Sequence, residues 1–155
     1  MAVTSDTNTN FPNGIAINSV DVSATAAELN AVAGVANRSQ STLAVAAEAG
    51  DNIDVTLTVK DADGTAVAAV HGFEVIVSSS ATTGAVATDD GITLTATTGL
   101  LTKEHTDDLF GKVLTDANGV AVLRLAGAGD LTAKYLWVQF PDGQFKVSAV
   151  IDHAA

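Results

Sequence analysis

At 155 residues, the chain is long enough for one domain with a sizeable core plus an extension, and too short for two ordinary domains. Hydrophobic residues make up 47% and charged residues 16%, which excludes an intrinsically disordered chain. Eighteen acids against seven bases give a net charge of −11, which excludes nucleic acid as a phosphate-contacting partner, and the lack of cysteine excludes disulfides and thiolate chemistry.

Residues 1–18 are rich in Thr, Asn, Asp and Ser, are broken by Pro12 and Gly14, and read as an extended N-terminal arm. Phe11, with Ile15 and Ile17 at period two, forms an apolar strip suited to a partner's groove. The alternative is an unstructured terminus. No basic start leads into an apolar run, so no signal peptide is expected, and no segment approaches the roughly 18 apolar residues of a membrane span. The expectation is a soluble product made in the cytoplasm, with no membrane partner.

Val22–Gly34, VSATAAELNAVAG, predicts one short helix. Thr25 at the N-cap and Glu28 three residues on form a capping box, each side chain accepting from the other's backbone N–H. Ala26, Ala27, Leu29 and Ala31 favour helix, and Gly34 stops it. A helix of about two turns is marginal in water unless its Leu29 and Val32 face packs against something. The polar connector after it carries Arg38, either a contact to an acidic partner or a solvated loop residue.

Thr25-Ala26-Ala27-Glu28-Leu29-Asn30, followed by Val32 and Gly34, resembles a segment of tailed-bacteriophage structural proteins, especially head-fibre, decoration and tail-fibre proteins. The resemblance implies a capsid decoration, or cement, protein on the outer surface of the virion. Its partner would be the major capsid protein, its oligomer by analogy a homotrimer. Phe11, Ile15, Ile17, Thr25, Glu28, Leu29, Val32 and Arg38 would then bind capsid or a neighbouring subunit. The alternative within viruses is a head or tail fibre that binds a host receptor or surface glycan.

Leu43, Val45 and Ala47 alternate until Gly50, which predicts a short strand. Ile53, Val55, Leu57 and Val59 then face one way and Asn52, Asp54, Thr56, Thr58 and Lys60 the other, the pattern of a half-buried strand. Asp61-Ala62-Asp63-Gly64 predicts a turn with Gly64 at positive φ. Phe73, Val75 and Val77 make a second strand, 78–90 a polar loop, and Ile92, Leu94 and Ala96 a third. Residues 98–110 read as an irregular, exposed insertion. Lys112–Leu125 predicts a hairpin turning at Asp116–Gly119. Leu136, Val138 and Phe140 alternate with Tyr135, Trp137 and Gln139, so that strand is apolar on both faces and expected to be central or covered. After a turn at Pro141–Gly143, Phe145, Val147, Ala149 and Ile151 form one last strand.

Short strands between turn signals predict an all-β antiparallel sandwich over residues 51–155, with arm, helix and connector in 1–50. Leu57–Gly64, Thr115–Leu125 and Phe145–Ile151 resemble bacterial and phage immunoglobulin-like domains of the invasin and adhesin type. That resemblance implies an immunoglobulin-like fold, and an adhesin module as a further alternative.

Chemistry is sparse. His71, His105 and His153 lack ligand spacing, so no metal and no cofactor are expected. The DADG and DANG segments suit hairpin turns better than calcium loops, since neither has the closing Glu. Asp89, Asp90, Asp107 and Asp108 are the remaining calcium candidates. No nucleophile elbow or phosphate-binding glycine loop occurs, and the chain is expected not to be an enzyme. Tyr135, Trp137 and Phe140 are either a sugar-stacking receptor platform or residues of the core or a subunit interface.

Overall fold

The computed structural model describes residues 15–17, 20–22, 40–87, 91–104, 109–127, 131–140 and 143–153. The chain divides into two compact units, Met1–Val32 and Ala33–Ala155. In the first unit, β1 (Ile15–Ile17) and β2 (Val20–Val22) pair antiparallel, Ala16 opposite Asp21. Ile15 and Ile17, expected to lie extended against a partner, thus pair their backbone with the same chain. The predicted helix, with Thr25, Glu28, Leu29 and Val32, lies outside the described residues, as do Phe11 and Arg38. There is no helix among the described residues.

The second unit is all-β. β3 (Thr42–Val45), β4 (Asn52–Thr58), β9 (Val120–Gly127) and β6 (Ile92–Thr98) form a four-stranded antiparallel sheet in the order β3-β4-β9-β6. A six-stranded sheet follows the order β11-β10-β5-β8-β7, where β5 is Gly72–Ser78, β7 Leu100–Lys103, β8 Phe110–Leu114, β10 Leu131–Gln139 and β11 Phe145–Val147. The sixth strand, β12 (Ile151–His153), pairs with the start of β10. Strand β10 is therefore central, with β5 on one side and β11 and β12 on the other.

Period-two alternation builds the core between these sheets. Ile53, Val55 and Leu57 of β4, Leu94 of β6 and Ala121, Leu123 and Leu125 of β9 share one buried cluster with Phe73, Val75 and Val77 of β5, Val113 of β8 and Leu136 and Val138 of β10. Two antiparallel sheets closing on one core is the arrangement of a β-sandwich.

Turn chemistry fixes the corners. Gly50 and Asp51, both near φ +57°, form the two-residue tip of the connection between β3 and β4, where Ala49 N–H donates to the Asn52 carbonyl at 2.9 Å. The Asp61–Gly64 and Asp116–Gly119 turns are near copies. In each, the Gly N–H donates to the Asp carbonyl, at 3.2 and 3.1 Å, the Asp N–H donates two residues past the turn's third position, at 2.9 and 2.8 Å, and the Gly sits at φ +80° or +72°.

Three expectations change. The Asp116–Gly119 turn forms, but β8 and β9 belong to different sheets, so it is a corner between layers and not a hairpin. Residues 98–110 are not irregular throughout, because Leu100–Lys103 is the edge strand β7, paired with β8. The last strand is two: Ser148 interrupts it, donating its N–H to the Leu136 carbonyl at 2.9 Å and accepting the Leu136 N–H on Oγ at 3.0 Å. β3, assigned above to the segment before residue 50, pairs with β4 as part of the sandwich.

Candidate interaction face

The strand registers decide what each sheet shows to its outer side. On the four-stranded sheet Thr42, Thr56, Thr58, Thr93, Thr95 and Thr97 point outward, around one ion pair in which Arg124 donates to Asp54 at 2.7 and 2.9 Å. Those hydrogen bonds lower the Asp54 pKa and raise that of Arg124. Val120 and Val122, half-buried, share this side with them, but hydroxyls and a neutral charge pair predominate.

The six-stranded sheet differs. Aligned across β8, β5, β10 and β11 run Phe110, Ile76, Trp137 and Val147, all half-buried and all on the outer side. Beyond the next row on this side, formed by Thr102, Lys112, Glu74 and Gln139, Leu100 and Leu114 face each other across β7 and β8 and remain 57% and 43% exposed. One outer face is thus hydroxyl-rich, while the other carries an aliphatic and aromatic row and an exposed leucine pair on either side of a polar row, and the second has the larger apolar side chains to bury on association.

Tyr135 and Trp137 lie on this apolar face. The Trp137 Nε1–H donates to the Ser80 carbonyl at 2.8 Å, its ring meets Phe145 edge-on at 5.8 Å, and a methyl built on Gly84 would lie 3.5 Å from it. The 78–87 loop therefore roofs part of the indole. Phe140 is not with them. It points inward, is 3% exposed, and packs edge-on against Phe73 at 5.1 Å. A platform built from all three aromatics is excluded by the alternation of β10, whose even-numbered positions are core.

A depression of about 430 Å3 opens at one end of the same sheet. Gly72 borders it, and Leu114 leans over that glycine, its Cδ2 3.3 Å from where a Cβ would stand. Phe73, Val113 and Phe140 line it from below, and Glu74, Lys112 and Gln139 edge it. Lys112 is drawn to Glu104, its Nζ 2.8 Å from Oε1, which raises its pKa.

The turn aspartates are occupied by their own backbone. Asp61 Oδ1 accepts from the N–H of Asp63 and Thr65, and Asp116 Oδ1 from those of Asn118 and Val120. The Val120 bond is the main cause of a lowered Asp116 pKa. Among the described residues no three His, Asp or Glu gather to hold a metal. Asp89, Asp90, Asp107 and Asp108 lie outside them, and no described helix is long and apolar enough to cross a membrane. The chain matches no protein-family model and no curated protein. Sequence reasoning missed the Phe110, Ile76, Trp137 and Val147 row because its members come from four strands. The available signal was local: each strand carries an apolar residue on the side opposite its core set.

Proposed function

We propose that this chain is a structural protein of a tailed-phage virion, a decoration protein that binds the outer surface of the head and stabilises it by non-covalent contacts. The observation that carries the reading is the apolar row Phe110, Ile76, Trp137 and Val147 on the outer face of the six-stranded sheet, which suits association and not turnover. The Thr25–Asn30 resemblance supplies the phage context. A homotrimer seated on the major capsid protein is the assembly in this reading.

The strand order supports an immunoglobulin-like sandwich. That fold places its strands A, B, E and D in one sheet and C, F and G in the other. Here β3, β4, β9 and β6 stand in the first order and β5, β10 and β11 in the second, with the β7–β8 pair added beside β5. Fully burying an aliphatic or aromatic side chain contributes roughly 1.5–3 kcal/mol, so several partly buried ones per subunit, repeated over a shell, would hold capsomers together.

The test is binding of the full-length chain to capsids stripped of accessory proteins, beside a chain lacking residues 1–34 and a full-length Leu100→Lys, Leu114→Lys variant. Saturable binding, weakened in either altered chain, is expected. Binding to host cells with none to capsids would replace this reading with that of a receptor-binding fibre.

A further inference from the structure

We infer that the depression beside Gly72 is a binding site for an arginine side chain presented by a partner protein, with Glu74 as its anionic anchor. The site stands whether or not the chain decorates a capsid.

The argument begins with an unspent carboxylate. Glu74 lies opposite Lys112 in the β5–β8 register and opposite Gln139 in the β5–β10 register. Cross-strand neighbours of opposite charge ordinarily pair. Here the Lys112 ammonium turns away to Glu104, and Glu74 makes no hydrogen bond or ion pair among the described residues, keeping only a longer-range attraction to Lys112. Two carboxylates against one ammonium leave the rim one negative charge. Glu74 is half-buried, so this charge sits where water screens it less than on an open surface.

Shape selects the ligand. Immediately beyond Glu74 the depression is bordered by Gly72, by Leu114, which leans over that glycine, and by Phe140, an apolar trough beside the carboxylate. An occupant must offer an aliphatic stem for that trough and a cationic head for Glu74. Gln139 pairs with Glu74 from the β10 side and also lines the depression, so its amide oxygen can serve as a second acceptor beside the carboxylate. A planar guanidinium donates to two neighbouring acceptors at once, whereas an ammonium engages them as a point charge. The net charge of −11 draws cationic segments towards the protein before contact.

The probe is N-acetyl-arginine methylamide titrated into the isotope-labelled full-length chain, with N-acetyl-norleucine methylamide as the uncharged match for its stem. The arginine probe is expected to shift the amide signals of Gly72, Glu74, Gln139 and Gly143 and to bind about tenfold more tightly than norleucine, the effect of one charge-assisted hydrogen bond. Glu74→Gln is expected to erase that preference and leave norleucine binding unchanged. Equal binding of the two probes, an arginine preference that survives Glu74→Gln, or no shift at these amides would overturn the assignment. Should Glu74→Gln fail to fold, the native chain decides. Raising salt from about 0.05 M to about 0.5 M must shrink the arginine preference, and a preference indifferent to salt also overturns it.

Discussion

The twin turns allow the cost of a close backbone approach to be separated from the cost of a left-handed residue. Gly64 and Gly119 occupy the same turn position at φ +80° and +72°, where an L-residue pays about 1–2 kcal/mol. Their surroundings differ. A Cβ at Gly64 would meet only the Gln40 side chain at 3.6 Å, whereas one at Gly119 would fall 2.1 Å from the Val67 carbonyl oxygen. That carbonyl cannot easily retreat, because it accepts the Ala69 N–H at 2.9 Å while the Val67 N–H donates to Val59 at 3.0 Å. Gly119 also accepts the Val59 N–H at 2.9 Å, so displacement there loosens the end of β4. Gly64→Ala is therefore expected to cost about 1 kcal/mol, and Gly119→Ala a further 2 kcal/mol or so for overpacking against backbone. Urea unfolding followed by the fluorescence of Trp137, the sole tryptophan, reads both. With a slope near 2 kcal/mol per molar, the midpoint should fall by about 0.5 M for Gly64→Ala and about 1.5 M for Gly119→Ala. Equal shifts would refute the claim that the 59–71 segment lies directly on the second turn.

Phe140→Ala should cost about 3–5 kcal/mol by opening a cavity beside Phe73, measured in the same unfolding assay. Trp137→Phe should cost only about 1 kcal/mol, the net worth of the lost bond to Ser80, yet speed hydrogen exchange across residues 80–84. A double-mutant cycle on Asp54 and Arg124 should give a coupling of about 0.5–1 kcal/mol that shrinks in salt, since both side chains keep 30–40% of their exposure. Asp54 and Asp116 both titrate below the ordinary value of 3.8 in the folded chain, so each stabilises it fully above that value and loses its contribution as pH falls through the lowered one. Urea midpoints at about pH 6 and about pH 2.5 should therefore differ less in an Asp54→Asn, Asp116→Asn chain than in the native one.

What could be read from the sequence was what local chemistry decides. The alternation from Asn52 to Lys60 yields β4 with the correct face inward, and the Asp-x-x-Gly pattern yields both turns, with Gly64 at positive φ as expected. The errors arose where partner choice is non-local. Asp116–Gly119 is a sound turn, but β8 is claimed by β5 and β7, and β9 by β4 and β6, so the strands it joins diverge. β7 has no alternation of its own and exists because β8 offers it an edge. Phe145 to Ile151 carries no breaker in its sequence, and only the double bond of Ser148 to Leu136, through its N–H and its Oγ, divides it. Glu74, Lys112 and Gln139 lie far apart in the chain and meet through register alone.

The pairing of β4 with β9 has a kinetic side. Its Asp54–Arg124 pair joins residues 70 positions apart. A ribosome adding about 5–20 residues per second needs several seconds to cover that distance. Throughout that interval the first long strand of the four-stranded sheet, with Ile53, Val55 and Leu57, has emerged without its neighbour β9. Nearly the whole nascent chain must be present before either layer can close. Mutual repulsion among growing copies, each rich in carboxylates, then guards the interval in which these strands would otherwise find one another.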